Sequence, residues 1–303
     1  MAIVSSRRRL AGLAAVLGLS LIAGGVAYAA ASPAIQTITP HRADQITNLD
    51  VLRQQIRNYY GDPLGTGTFT PDSNYAKEAT AVAADGARWL AAMWHDKWPW
   101  HDKAPAGLKA IVLDVDDTTL ATWNYEVYSN WSYNSSYPNA VPPKLMTNAD
   151  FVNGELFPPV PGMVQMVTQA AQEGYAIIWI TGRPANQEAP TLANLTGVGL
   201  VANGINAGYP APTKLNDGED GLFTKPSTAN SYADYPDYLK VACAAEIAAN
   251  ASCTTVHYKS ATRAHIESLG YDIVADFGDQ YSDLTGGYAN RTFKMPNPNY
   301  FLP

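Results

Sequence analysis

Asp114, Asp116, Asp117 and Thr118 follow the apolar run Ala110 to Leu113 in the segment KAIVLDVDDTTLAT, residues 109–122. Three carboxylates within four residues at the end of a buried strand repel one another and lose hydration. A cation or a bound phosphate removes that objection, so the pattern points to phosphate chemistry rather than to packing. Asp114 and Asp116 stand two apart, which on an extended strand puts both carboxylates on one side. One can attack phosphorus while the other handles the proton. Phosphoryl transfer also needs charge and donors on the phosphoryl oxygens. Thr181 and the Gly182 amide, in TGRP, offer donors, and Lys259 offers a positive charge at an expected helix start. Asp279 and Asp283, in GDQYSD, offer further oxygen ligands. A magnesium ion held by this set would neutralise it and shield a phosphate from the attacking carboxylate.

The elements that must hold these residues alternate. Pro161 opens a helix to Glu173, stopped by Gly174. Tyr175 to Ile180, YAIIWI, is continuously apolar, as a strand buried on both faces requires. Helices are expected over Asn186 to Leu195, Tyr235 to Ala249 and Ser260 to Leu269, with a short strand at Leu222-Phe223 and a strand from Tyr271 to Phe277. Strands alternating with helices predict an α/β fold with a doubly wound, mostly parallel sheet. In such sheets ligands bind at the carboxyl ends of the strands. The polar clusters at 114–118, 181–183 and 278–283 each fall at such an end. Upstream, residues 32–105 form an N-terminal helical segment, with helices expected over Ala43 to Tyr60 and Ser73 to Lys97. Trp94, Trp98 and Trp100, with His95 and His101, read as core packing or as an aromatic wall. Residues 123–137, WNYEVYSNWSYNSSY, read equally as packing against these helices or as a platform for a flat ring.

The chain has 303 residues, 47% hydrophobic and 16% charged, which suits a globular protein with a sizeable core. Arg7, Arg8 and Arg9 precede an apolar run and small residues in the first 31 residues. That is the pattern of a cleaved secretory signal peptide, Sec or twin-arginine, with no stable membrane insertion afterwards. The formal net charge is −7, and losing those three arginines makes it more acidic. Nucleic acid is therefore an unsuitable partner, and any phosphate site must be locally basic. Cys243 and Cys253 are expected to form a disulfide in an oxidising compartment, with two free thiols as the alternative.

The motifs DVDDT at 114–118, Thr181-Gly182-Arg183 after a strand, Lys259, and GDQYSD at 278–283 appear in order. Together they resemble the haloacid dehalogenase-like (HAD) superfamily of phosphatases. LDVDDTTL, ITGR, YKS with Arg263, GDQYSDL and RTFKMPNPNY at 291–300 narrow the resemblance to its secreted acid phosphatases, the plant acid phosphatase, vegetative storage protein and bacterial class B-like group, subfamily IIIB. The resemblance implies a HAD-like core over 106–303. It implies Asp114 as a nucleophile forming an aspartyl-phosphate, and Asp116 as acid, then base. Thr118 would orient the first loop, Thr181 and Lys259 would hold the phosphoryl group, and Gly182 and Arg183 would border the substrate. Mg2+ would be held by Asp114, the Asp116 carbonyl and Asp279, with Asp283 holding Lys259 or metal-bound water. The function so implied is hydrolysis of small phosphomonoesters. The alternatives are a nucleotidase or phosphotransferase that stacks a base on the aromatic stretch, and a non-enzymatic storage or binding protein on the same fold.

Overall fold

A computed structural model describes residues 39–95, 108–132, 146–197, 208–226 and 232–302. The expected leader over 1–31, Trp98, Trp100 and His101, and the 133–137 part of the aromatic stretch lie outside these residues.

The sheet forms because its central strands are apolar on both faces. Strands β1 (Lys109–Leu113), β2 (Ala176–Pro184), β3 (Leu222–Lys225), β4 (Asp272–Gly278) and β5 (Thr292–Lys294) pair in the order β3-β2-β1-β4-β5. Every pair is parallel. Ile111 and Leu113 of β1 and Ile177 and Trp179 of β2 enter one core layer, and Ala110, Val112, Ile178 and Ile180 enter the other. This is the period-2 alternation of a strand buried on both sides. The expected doubly wound α/β sheet is therefore present. Its order runs outward in two directions from β1 and β4, and the crevice at that switch point is where open α/β sheets bind ligands.

One face carries helices α1 (Leu49–Tyr59), α2 (Asn74–His95), α3 (Trp123–Ser129), α4 (Asn148–Asn153), α5 (Met163–Glu173) and α6 (Glu188–Leu195). The other carries α7 (Asp237–Ala242), α8 (Ala244–Ala248) and α9 (Thr255–Ser268), and a short α10 (Tyr281–Leu284) follows β4. Helix α2 lies so close to β4 that a Cβ on Gly86 would stand 2.6 Å from the Phe277 ring. Three side-chain bonds tie the same helix to the sheet: Trp89 Nε1 donates to Val274 O at 3.0 Å, Lys109 Nζ to Met93 O at 2.6 Å, and Tyr175 Oη to Leu90 O at 2.8 Å.

Several expected boundaries move. The helix read from Ala43 starts at Leu49, because the Asn48 side chain accepts from the Asp50 and Val51 amides and caps it there. Ala43–Gln45 is a separate 3-10 turn, and Ile46, Leu49 and Leu52 are exposed, so their spacing marks no core face. The helix read over Tyr235 to Ala249 breaks at Cys243 into α7 and α8, and Cys243 joins Cys253 in a disulfide with Cα atoms 5.3 Å apart. Helix α9 starts five residues earlier than Ser260, capped by Thr254, whose hydroxyl accepts from the His257 amide. Strand β2 runs on through Thr181-Gly182-Arg183 to Pro184, with a register shift against β3 between Thr181 and Pro184. Strand β5 is a further edge that periodicity does not announce, being only three residues long.

The described part of the aromatic stretch is packing. Trp123 is fully buried and stacks on Tyr60 with centroids 4.0 Å apart and planes 3° off parallel. Its Nε1 donates to Asp62 at 3.1 Å, and Trp131 lies beneath the Arg53 and Arg57 guanidinium groups. Trp123→Ala should therefore destabilise the protein by about 3–5 kcal/mol, measured as a loss in chemical denaturation. A change under about 1 kcal/mol would mean that the ring is not part of the core.

Candidate active site

The loop after β1 folds back on itself at once. Thr119 and Leu120 amides both return to Val115 O, and the Thr119 hydroxyl donates to Asp114 O at 3.0 Å. Asp117 takes a left-handed backbone, φ 52°, and accepts from the Thr122 amide at 2.9 Å and the Thr122 hydroxyl at 2.5 Å. It is the turn residue of the cluster, and its burial pushes its carboxyl up to about 6. The tight turn leaves Asp114 and Asp116 with separate partners.

Asp114 is buried and meets Lys259 Nζ, which also lies 2.7 Å from Asp283 Oδ1. Lys259 is the fifth residue of α9, one turn past the helix start expected for it, so its charge enters through the side chain and not beside free backbone amides. Burial opposes the ammonium's charge, but Asp114 and Asp283 outweigh it and its pKa is pushed up. Burial pushes Asp114 up to about 7 against the pull of Lys259. Asp283 also accepts from the Gln280 amide at 2.8 Å within the first turn of α10, so it is both a helix-start residue and a partner of Lys259. It sits so near the end of β4 that a Cβ on Gly278 would stand 2.4 Å from its own Cβ. Only glycine at 278 lets the two segments meet.

Asp279 is buried and held by amides. Gln280 Nε2 and Asn297 Nδ2 each donate to its Oδ2 at 2.6 Å, and the Thr118 hydroxyl is 3.4 Å from its Oδ1. Burial, then Asp283, Asp114 and Asp117, push its pKa well up. Oxygens of Asp114, Asp279 and Asp283 lie within 4.8 Å of one another. Three buried carboxylates around one ammonium leave an excess of two negative charges, and a divalent ion with oxygen ligands fits that donor set.

Asp116 pairs with Arg183. Both its oxygens accept from Arg183, at 2.6 and 3.0 Å, and Arg183 Nη1 goes on to Thr191 at 2.9 Å. Arg183, expected to border the substrate, is buried and pairs with the Asp116 carboxylate. Thr181 is buried too, and its hydroxyl accepts from the Arg183 amide at 3.2 Å. Gly182 is exposed with nothing within 4 Å of where a Cβ would be, so space is open above it. The expected residues thus gather as Asp114–Lys259–Asp283, Asp279–Thr118 and Asp116–Arg183, with Thr181 joined to the last through the Arg183 amide.

A family model described as HAD superfamily, subfamily IIIB (Acid phosphatase), matches residues 20–218 and 241–303. The chain belongs to this subfamily. Among similar proteins are the Stem 28 kDa glycoprotein of Glycine max, 31% identical over 196 residues, covering 63% of this chain and 59% of that protein. Vegetative storage protein 1 of Arabidopsis thaliana is 27% identical over 192 residues, covering 63% of this chain and 55% of that protein. Acid phosphatase 1 of Solanum lycopersicum is 25% identical over 206 residues, 66% of this chain and 62% of that protein. The match spans between half and two thirds of the length of these relatives. The structure of the class C acid phosphatase from Bacillus anthracis aligns with 84% of this chain and 87% of that one, at 18% identity and a TM-score of 0.46.

Three groups that the structure places at this site lie within GDQYSDL and RTFKMPNPNY, but the sequence reading gave them no role. Asn297 and Gln280 reach Asp279, and the Tyr300 hydroxyl reaches Asp117. The polar run Asn297-Pro298-Asn299-Tyr300 was visible, but nothing local tells which strand end it covers. Glu126 of α3 is the fourth. Burial, then Asp117 and Asp116, push its carboxyl up to about 8, and among the described residues no cation pairs with it. Between its unfolded value near 4.5 and about 8, the folded state keeps a proton that the unfolded state has released. Stability therefore falls as pH rises through that window. Glu126→Gln should match the wild type in Tm below pH 5 and exceed it by about a few °C at pH 8. Parallel Tm curves across that range would contradict the assignment.

Proposed function

We propose that this chain is a secreted, Mg2+-dependent phosphomonoester hydrolase working through an aspartyl-phosphate on Asp114. The observation that carries the reading is the buried group of Asp114, Lys259, Asp283 and Asp279, which has the form of a site waiting for a phosphate and a divalent ion and has no use as packing. Membership of an acid phosphatase subfamily supports it. The leader over 1–31 supports export, and among the described residues no helix is long and apolar enough to cross a membrane.

In this reading a carboxylate oxygen of Asp114 forms a bond to phosphorus as the ester P–O bond breaks, and Asp116 gives a proton to the departing oxygen. The Asp116 carboxylate then takes a proton from water, whose oxygen attacks phosphorus and breaks the Asp114–phosphate bond, releasing inorganic phosphate. Both Asp116 oxygens accept from Arg183, so the carboxyl must turn one oxygen toward the leaving group for this step. Lys259 and Thr181 bind phosphoryl oxygens, Gly182 leaves room beside them, and Thr118 and Arg183 steady the loop and the proton-carrying group. Mg2+ would be held by Asp114, the Asp116 carbonyl and Asp279, with Asp283 fixing Lys259, and it would supply charge neutralisation around the attacking carboxylate. The substrate is a small phosphomonoester. The nucleotidase alternative loses Trp123 and Tyr125 as stacking platforms, since both rings are buried. The storage alternative leaves the acidic group without a purpose.

The test is a panel of aryl, sugar and nucleoside monophosphates assayed with and without Mg2+. Asp114→Asn should lower kcat by about 10^4-fold or more, and chelation should abolish hydrolysis. Hydrolysis undiminished in that variant would refute the mechanism. With an activated aryl phosphate, whose leaving group needs no proton, Asp116→Asn should let a phosphoenzyme build up in rapid quench, because attack by water then lacks its base.

A further inference from the structure

The C-terminal segment 295–302 does more than finish the chain. It meets the carboxyl ends of β1 and β4 through Gly278, Asp279 and Asp117. Asn297 Nδ2 donates to Asp279 Oδ2 at 2.6 Å and lies 3.5 Å from Asp117 Oδ2. Its Oδ1 accepts from the Asn299 amide at 2.8 Å, so the side-chain amide cannot turn over without losing a bond on each end. Gln280 is fixed in the same way. Its Nε2 donates to Asp279 Oδ2 at 2.6 Å and toward Tyr300 O at 3.4 Å, and its Oε1 accepts from the Leu302 amide at 3.1 Å. Two oriented amides thus occupy one oxygen of Asp279. Among the described residues the other oxygen meets the Thr118 hydroxyl alone, at 3.4 Å, too long for a strong bond.

We propose that this C-terminal strap is a positioning element for the divalent ion: Asn297 and Gln280 hold Asp279 Oδ2 so that Oδ1 is presented to the metal. The inference rests on the reading of Asp279 as a metal ligand. The physical reason is twofold. Amide donors offset the desolvation of a buried carboxylate without adding positive charge that would compete with the ion. They also remove the carboxylate's rotation, which a monodentate ligand in an open site would otherwise keep. The strap itself is anchored away from the acids. Asn299 Nδ2 donates to Tyr60 Oη at 2.9 Å, Trp131 Nε1 to Asn299 Oδ1 at 3.2 Å, and the Ser282 hydroxyl to Leu302 O at 3.2 Å. The N-terminal helix, the aromatic cluster and the metal ligand are joined by one segment.

The test is calorimetric titration of the full chain with Mg2+, alongside Tm in its absence. Asn297→Ala and Gln280→Met should each weaken Mg2+ binding about 10-fold or more. Asn299→Ala is the control for a merely structural strap: it should lower Tm and leave Mg2+ affinity unchanged. Asp279→Asn should abolish binding. Wild-type affinity in both Asn297→Ala and Gln280→Met would overturn the strap's role, as would an equal loss in Asn299→Ala. Undiminished affinity in Asp279→Asn would instead overturn the ligand assignment beneath it. Either amide variant alone suffices if the other does not fold.

Discussion

The Lys259 ammonium stands between Asp114 and Asp283 with all three side chains almost wholly out of water, and much of the structure follows from keeping it there. A buried pair of this kind contributes little net stability, since desolvation offsets the attraction, yet stranding one partner costs about 3–5 kcal/mol. The group therefore makes sense only if it is assembled as a whole. Helix α9 must deliver Lys259 at the right depth, and Arg263 one turn on does much of that work. Its guanidinium pairs with Asp276 at 3.0 Å and donates to Asp283 O, Thr285 O and Gly287 O, locking the loop after β4 to the helix that carries the lysine.

The sheet topology makes that assembly possible. Strands β1 and β4 are neighbours at the switch point, so Asp114 and Asp279 emerge side by side although far apart in sequence. Apolar layers on both faces keep water from the strand ends, and that same dryness drives the carboxyls of Asp114, Asp117 and Glu126 upward. A dry pocket strengthens every charge interaction inside it. The N-terminal helices contribute to the same core through Tyr60, Tyr75 and Leu90. Asp116, by contrast, remains partly exposed and is clamped by Arg183. The two acids of one motif therefore sit in different surroundings, as the two roles proposed for them require.

Much of this was legible in the residues. The apolar runs of β1, β2 and β4, the helix stop at Gly174 and the acids at strand ends are local patterns with local causes. Boundaries were less legible where a cap decides them: Asn48 and Thr254 begin helices at places that apolar spacing does not mark. The break at Cys243 and the three-residue β5 have the same character, being too short to show a period. Ile46, Leu49 and Leu52 had the spacing of a core face and lie exposed, because periodicity says that a face exists and not that anything covers it.

By itself, then, the sequence determined the α/β alternation and the parallel sheet, and it marked Asp114, Asp116, Thr181, Lys259, Asp279 and Asp283 as candidates, since backbone preference and the cost of clustered acids act over a few residues. Only the tertiary structure decided who meets whom. Arg183 turned to Asp116, Asp283 joined Lys259, Trp123 went to Tyr60, and Asn297 came from the far end of the chain to Asp279. Those pairings depend on distances between segments that the fold alone brings together, and burial, which sets the strength of each charge, is a property of the assembled core and of no segment alone.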